Sequence, residues 1–115
     1  MGTLLAVRQE PGPVEITVDG DTARAILYGE FDMRATFTVE PALERVLEEP
    51  GLRRLVVDLS RLSFIDSTGI GVLLRVQQES AARGIELVLV PGPDHVHRVF
   101  ETTGLAGSLP FVSGA

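Results

Sequence analysis

Hydrophobic positions in this 115-residue chain change period several times, and each change predicts an element. Residues 3–9 and 14–18 are short, part-alternating segments split by Pro11-Gly12-Pro13, hence two strand-like pieces around a turn. Asp19-Gly20-Asp21 is a hairpin turn signal. Residues 22–28 then alternate as a strand that Gly29-Glu30-Phe31-Asp32 ends. From about 38 to 49, Val39, Leu43, Val46 and Leu47 fall at helical spacing. Pro41 suits the first turn of such a helix, where a missing N–H costs little, and Pro50-Gly51 stops it. Residues 54–59 read as a buried strand and 60–65 as a connection. Residues 70–83 read as a helix with Ile70, Leu73, Leu74, Gln77 and Ala81 on one face and Gly84 as its C-terminal cap. The apolar run 85–90, bounded by Pro91-Gly92-Pro93, predicts a strand buried on both faces. Asp94 is placed to cap a third helix with a Val96, Val99, Phe100 stripe, and residues 109–112 to add a last short strand.

After the opening hairpin the order is therefore helix, strand, helix, strand, helix, strand. That alternation requires crossover connections, and so an α/β fold with a largely parallel sheet and helices packed on it. A chain of 115 residues supplies one core and no second, and no repeat, low-complexity tract or linker divides it. Residues 1–115 are read as a single domain.

Composition narrows the function classes. With 5% aromatic residues and no Trp, the core must be built from Val, Leu, Ile and Ala. No apolar run approaches the roughly 18 residues of a membrane span. Met1-Gly2-Thr3-Leu4-Leu5 lacks the basic start and cleavage site of a signal peptide. Without Cys there is no disulfide or thiolate chemistry, in keeping with a cytoplasmic protein. A net charge of −6 argues against nucleic acid as a direct partner. All ten basic residues are Arg, which excludes a Schiff-base lysine and the lysine of a phosphate-binding P-loop. Glu40, Glu44 and Glu48, spaced i, i+4, i+8 and followed by Glu49, read as a solvated helix face.

The chemistry concentrates in Phe64-Ile65-Asp66-Ser67-Thr68-Gly69-Ile70-Gly71-Val72-Leu73. A hydroxyl there opens a helix, where free backbone N–H groups and the positive end of the helix dipole face solvent. A dinucleotide-binding turn would need a third Gly where Leu74 stands, and an acid at the end of the next strand. A hydrolase nucleophile elbow would need Gly in place of Ile65. Asp94 and His97 follow Ser67 in triad order, but three residues apart on one short helix they are poorly placed to act together. His95 and His97 point to different helix faces and read as surface residues, with no third zinc ligand of obvious spacing. A phosphate on Ser67 would add about −1.5 to −2 charges where a helix N-terminus tolerates an anion, with Gly69 and Gly71 keeping the turn low enough to be reached. Plain capping by Ser67 or Asp66 explains the same residues without any function. The residues themselves leave capping and phosphorylation both open.

The run 54–74, from Arg54-Leu55-Val56-Val57-Asp58-Leu59 through Asp66-Ser67-Thr68-Gly69 to Leu74, closely resembles the central signature of the STAS domain family. Within that family the chain is similar to the stand-alone bacterial anti-sigma factor antagonists. Gly29-Glu30-Phe31-Asp32, Gly84-Ile85-Glu86-Leu87-Val88-Leu89-Val90 and Val99-Phe100-Glu101-Thr102-Thr103-Gly104-Leu105 agree in order and spacing, so the resemblance covers roughly residues 14–112. It implies a STAS-like fold with a central mixed, largely parallel sheet. It also implies a non-enzymatic partner switch. The unphosphorylated antagonist binds an anti-sigma factor that is also a serine kinase, phosphorylation releases it, and a serine phosphatase resets it. Carried onto this chain, the phosphoacceptor is Ser67, with Thr68 the less favoured hydroxyl. Asp32, Asp66, Ser67, Thr68 and Gly69 are the partner-binding residues. No cofactor or metal is implied, since the ATP belongs to the kinase. The same turn would also serve a STAS module that acts as a scaffold or binds a small ligand in a larger signalling assembly. The first 13 or so residues match weakly, and the helix that relatives commonly carry after the last strand is expected to be missing, as the sequence stops at Val112-Ser113-Gly114-Ala115. A monomer or weak homodimer is the expected state.

Overall fold

The computed structural model of the chain describes residues 12–112; the strand expected over residues 3–9 lies outside them. The elements are β1 (Val14–Asp19), β2 (Thr22–Phe31), α1 (Met33–Leu47), β3 (Arg54–Ile65), α2 (Ser67–Ala82), β4 (Glu86–Val90) and α3 (Asp94–Thr102). They form one sheet in the order β1-β2-β3-β4, with β1 antiparallel to β2 and the remaining pairs parallel. The mixed α/β sheet expected from the alternation of elements is therefore present. At the hairpin, Asp19 faces Thr22 across a two-residue turn whose Gly20 has φ +64°, a backbone conformation that glycine adopts without steric cost.

One face of the sheet carries the core. Ala23, Ala25 and Leu27 of β2, Leu55, Val57 and Leu59 of β3, and Leu89 of β4 are fully buried. They pack in one cluster with Val39, Leu43, Val46 and Leu47 of α1 and with Val72, Leu73 and Val76 of α2. Residues of opposite parity in β2 and β3 point to the other face, where Arg24 donates to Asp58 at 2.7 Å. Burial alone would raise the Asp58 carboxyl, but hydrogen bonds from Ser60 and the Arg24 guanidinium hold it below the usual carboxylate range.

Four boundaries differ from the sequence expectation. Helix α1 begins at Met33 instead of near Thr38, because Asp32 caps it by accepting from the Ala35 N–H at 3.1 Å. Pro41 thus sits inside the helix and not in its first turn. Residues 60–65 belong to β3 and are not a connection. They pair with Tyr28–Phe31 of β2 across two register shifts, and after Leu59 the buried residues fall at Leu62 and Ile65. A spacing of three reads as neither strand nor helix in sequence. Helix α2 starts at Ser67, and its buried face is Gly69, Ile70, Val72, Leu73, Val76 and Ser80, with Ala81 exposed. Ser80 is tolerated inside because its hydroxyl donates to the Val76 carbonyl at 2.6 Å. Asp94 is the first helical residue of α3 and does not cap it; the cap position is Pro93, without a side-chain bond.

The C-terminal side of the sheet is closed differently from the expectation. Strand β4 ends opposite Asp58, while β3 runs on to Ile65. Helix α3 packs beside the half of β3 that extends past β4, where His95 Nε2 lies 2.8 Å from the Ser63 carbonyl oxygen. Residues 109–112 make a single parallel bridge, Leu89 to Phe111, and not a strand. Phe111 stacks edge-on against His97 at 4.7 Å and Phe100 at 5.0 Å between ring centroids. His97 is therefore half-buried, contrary to the surface placement expected of it, with its Nδ1 enclosed and unpartnered.

Candidate functional site

Strands β2 and β3 run parallel and finish level, with Phe31 opposite Ile65. Each passes through one extended aspartate straight into a helix: Asp32 (φ −108°, ψ −171°) before α1, Asp66 (φ −121°, ψ −173°) before α2. The two turns are tied together, since the Asp66 N–H donates to the Phe31 carbonyl at 3.3 Å. Two helix N-termini and two carboxylates thereby meet at the C-terminal end of the parallel strands, where α/β sheets gather their binding sites. Asp32, more than thirty residues from Ser67 in sequence, is placed beside the same turn by this pairing.

Gly69 makes the close approach possible. A Cβ at this position would lie 2.5 Å from the Phe31 carbonyl oxygen and 2.9 Å from the Phe31 ring. Gly69 is buried and faces β2, so its role is to seat the turn and not, as the sequence suggested, to clear a path to the hydroxyl. Gly71 does leave open surface, with only the Arg75 guanidinium, 3.5 Å away, near the place a Cβ would take.

The hydrogen bonds around Asp66 resolve the choice between capping and an available hydroxyl. Asp66 Oδ1 accepts from the Thr68 N–H at 3.0 Å, the Gly69 N–H at 3.2 Å and the Thr68 hydroxyl at 2.6 Å. The Thr68 hydroxyl above all, with the two backbone donors, holds the Asp66 carboxyl below the usual carboxylate range. Asp66 is thus the cap and Ser67 the first helical residue. Ser67 is exposed, and among the described residues its hydroxyl makes no hydrogen bond. Of the two adjacent hydroxyls, Thr68 is committed to the cap, and Ser67 is uncommitted among the described residues.

The geometry also weighs on the enzymatic readings. No non-glycine residue among those described has a positive φ, so Ser67 sits in ordinary helix and not in the strained turn of a nucleophile elbow. Asp94 is exposed and His97 packs against Phe111, so they do not form an acid–base relay aimed at Ser67.

Sequence reasoning missed the apolar side chains at this end of the sheet. Met33, Phe37 and Phe64 are exposed, and a helix begun at Met33 would have shown Met33 and Phe37 at i, i+4 on a polar face. Further along the helices, α1 and α2 enclose a groove of about 570 Å³ lined by Glu40, Glu44, Glu48, Arg75, Glu79 and Arg83. Glu40 accepts from Arg75 of α2 at 2.7 Å, so the acidic stripe is partly an inter-helix contact and not wholly a solvated face, while Glu79 and Arg83 pair at 2.7 Å along α2 itself.

The sequence matches the STAS domain family over residues 14–113. The anti-sigma-B factor antagonist of Listeria monocytogenes is 36% identical over 88 residues, 76% of this chain and 76% of that protein. The fold is shared with an anti-sigma factor antagonist from Mycobacterium paratuberculosis (TM-score 0.77, 22% identity, 88% of this chain and 85% of that one). It is shared too with the Bacillus cell fate determinant SpoIIAA in its phosphorylated form (TM-score 0.66, 23% identity, 87% and 91%).

Proposed function

The chain belongs to the STAS domain family, and from that premise we propose that it is an anti-sigma factor antagonist. In this reading it binds an anti-sigma factor serine kinase when unmodified and lets go when Ser67 is phosphorylated. One observation carries it: Asp66 takes over the cap, and the Ser67 hydroxyl is left exposed at a helix N-terminus, without a partner among the described residues.

The chemistry needs nothing from this chain beyond the hydroxyl and its position. Ser67 Oγ attacks the γ-phosphorus of kinase-bound ATP; the new O–P bond forms as the bond to the β-phosphate oxygen breaks. The hydroxyl proton passes to a base of the kinase and ADP departs. The product carries about −1.5 to −2 charges beside the N-termini of α1 and α2, which keep the fold compatible with it. A phosphatase returns the hydroxyl by transferring the phosphoryl group to water. Asp32, Asp66, Thr68 and Gly69 act in this scheme through the shape of the turn: the two carboxylates set its charge, Thr68 locks the cap, and Gly69 seats it on Phe31. That a protein of this fold is known in a phosphorylated form agrees with the compatibility of fold and phosphate. The net charge of −6 suits a protein partner over nucleic acid. No helix among the described residues is long and apolar enough to cross a membrane, and the reading places the exchange in the cytoplasm.

The test is phosphoryl transfer in vitro. The chain is incubated with the serine-kinase anti-sigma factors of its source organism, Mg²⁺ and ATP, and the products are mapped by mass spectrometry. One phosphate on Ser67 is expected. No phosphate, or one outside Ser67 and Thr68, sinks the switch. Ser67→Ala should hold the kinase permanently and Ser67→Asp should weaken it. A complex indifferent to both variants would fit the scaffold role instead.

A further inference from the structure

Among the described residues five large apolar side chains are exposed, and three of them stand around one turn: Met33 at 57%, Phe37 at 75% and Phe64 at 47%. Met33 directly follows the cap Asp32. Phe37 comes four residues later and three before Glu40, whose carboxylate reaches across to Arg75 of α2. Positions three and four apart share a helix side, so Met33 and Phe37 look over the first turns of α2, where Gly71 carries no side chain. Phe64 lies three residues before Ser67, paired with Glu30, and points to the sheet face opposite the buried Ile65. The strand ends from which Ser67 opens α2 therefore carry exposed apolar side chains on both faces, from the start of α1 on one and from the end of β3 on the other. One exposed apolar residue is ordinary; three gathered at a single edge mark a contact surface.

We infer that Met33, Phe37 and Phe64 are the apolar anchor on which the anti-sigma factor kinase docks, and that phosphate on Ser67 breaks this contact through its desolvation cost and not through charge repulsion. The inference rests on the switch proposed above. Its occupant follows from the transfer itself. A kinase that brings a γ-phosphate into bonding distance of Ser67 Oγ must cover the turn and the side chains that flank it, and the surface it lays on Phe37 and Phe64 must be apolar to leave no polar group stranded. Over hydroxyl and hydrocarbon such a contact closes dry. Once Ser67 carries a phosphate, closing it would strip water from a dianion against aromatic and thioether side chains, which supply no donors in return.

Salt separates the two modes of release. Repulsion between charges near a surface is screened as the Debye length falls from about 10 Å at 0.1 M to about 3 Å at 1 M, while a desolvation cost is not screened. Binding of the kinase found by phosphoryl transfer is measured by calorimetry at both salt concentrations, with parent, Phe37→Ser, Met33→Ser and Ser67-phosphorylated chains. Phe37→Ser is expected to weaken binding about tenfold or more with an unchanged urea midpoint, and the phosphorylated chain to stay unbound at 1 M salt. Without the kinase, the apolar dye ANS should bind the parent and be lost from Phe37→Ser. Parent-like kinase binding or parent-like dye binding by Phe37→Ser overturns the anchor, as does a dimer of this chain that Phe37→Ser dissociates while kinase affinity is kept. Recovery of the phosphorylated chain at 1 M salt overturns release by desolvation. A complex that tolerates phosphate yet loses affinity in Phe37→Ser would overturn the switch and leave the anchor standing.

Discussion

The molecule contains the same junction twice, and the two copies have been put to different uses. In both, a parallel strand ends in a buried aromatic or aliphatic residue, passes through an extended Asp and enters a helix. At α1 the Asp32 carboxylate accepts from one backbone donor, Ala35 N–H, and the first helical residue is Met33. At α2 the Asp66 carboxylate accepts from two backbone N–H groups and the Thr68 hydroxyl, and the first helical residue is Ser67. The third helical residue is Ala35 in one and Gly69 in the other, and only the second is pressed onto its neighbour's backbone. A saturated cap frees the residue beside it. A locked, low-lying turn that presents one unoccupied hydroxyl lies next to a similar turn that presents hydrocarbon.

The largest effect should come from breaking the contact that joins the two turns. Gly69→Val pushes a branched side chain into the Phe31 carbonyl and ring, and about 3 kcal/mol of stability should be lost in urea unfolding. The matching change in the other direction, Ala35→Gly, should cost only about 0.5–1 kcal/mol through helix propensity. Equal costs at positions 35 and 69 would erase the distinction between a seated and an unseated turn.

Next are the caps. Asp66→Ala should cost about 1–2 kcal/mol and Asp32→Ala about 1 kcal/mol, because the first removes three accepted hydrogen bonds and the second one. If Asp32→Ala proved the more damaging, the greater saturation of the Asp66 cap would lose its meaning. Smaller again is the effect of acid. The folded-state carboxyl of Asp66 lies below its unfolded value of about 3.9, so its contribution is complete above that pH and is lost as pH falls through the folded value. The stability gap between the parent and Asp66→Asn should therefore narrow as the solution is taken from about pH 5 to below pH 3. The smallest effect on stability belongs to Ser67→Ala, within about 0.5 kcal/mol, since the hydroxyl is exposed and has no partner among the described residues. A larger loss would show that Ser67 shares the capping work. The same variant is the one expected to abolish the proposed switch, so position 67 should combine the least structural cost with the greatest regulatory one.

How far these features were legible in the chain follows from the range of the forces involved. The hairpin at Asp19-Gly20-Asp21, the order of helices and strands, the C-terminal stop at Gly84 and the Asp66-Ser67 helix entrance are local events. Turn chemistry, capping and periodicity over a few residues specify them, so the α/β class and the position of the candidate hydroxyl could be read directly. The start of α1 was misplaced for want of one local fact, that Asp32 would cap and Pro41 would be carried inside the helix.

What tertiary structure alone decided was everything that depends on a neighbour distant in sequence. Residues 60–65 become strand only because β2 runs alongside them, with two register shifts that blur their period. His97 becomes half-buried only because Phe111 returns across α3. The Asp32 turn comes to stand beside the Asp66-Ser67 turn only because β2 and β3 end level, and α1 lies along α2 only because both pack on the same sheet. The physical reason is the same in each case. Local geometry leaves a period in the sequence, whereas a contact between distant segments leaves none until the chain has closed on itself.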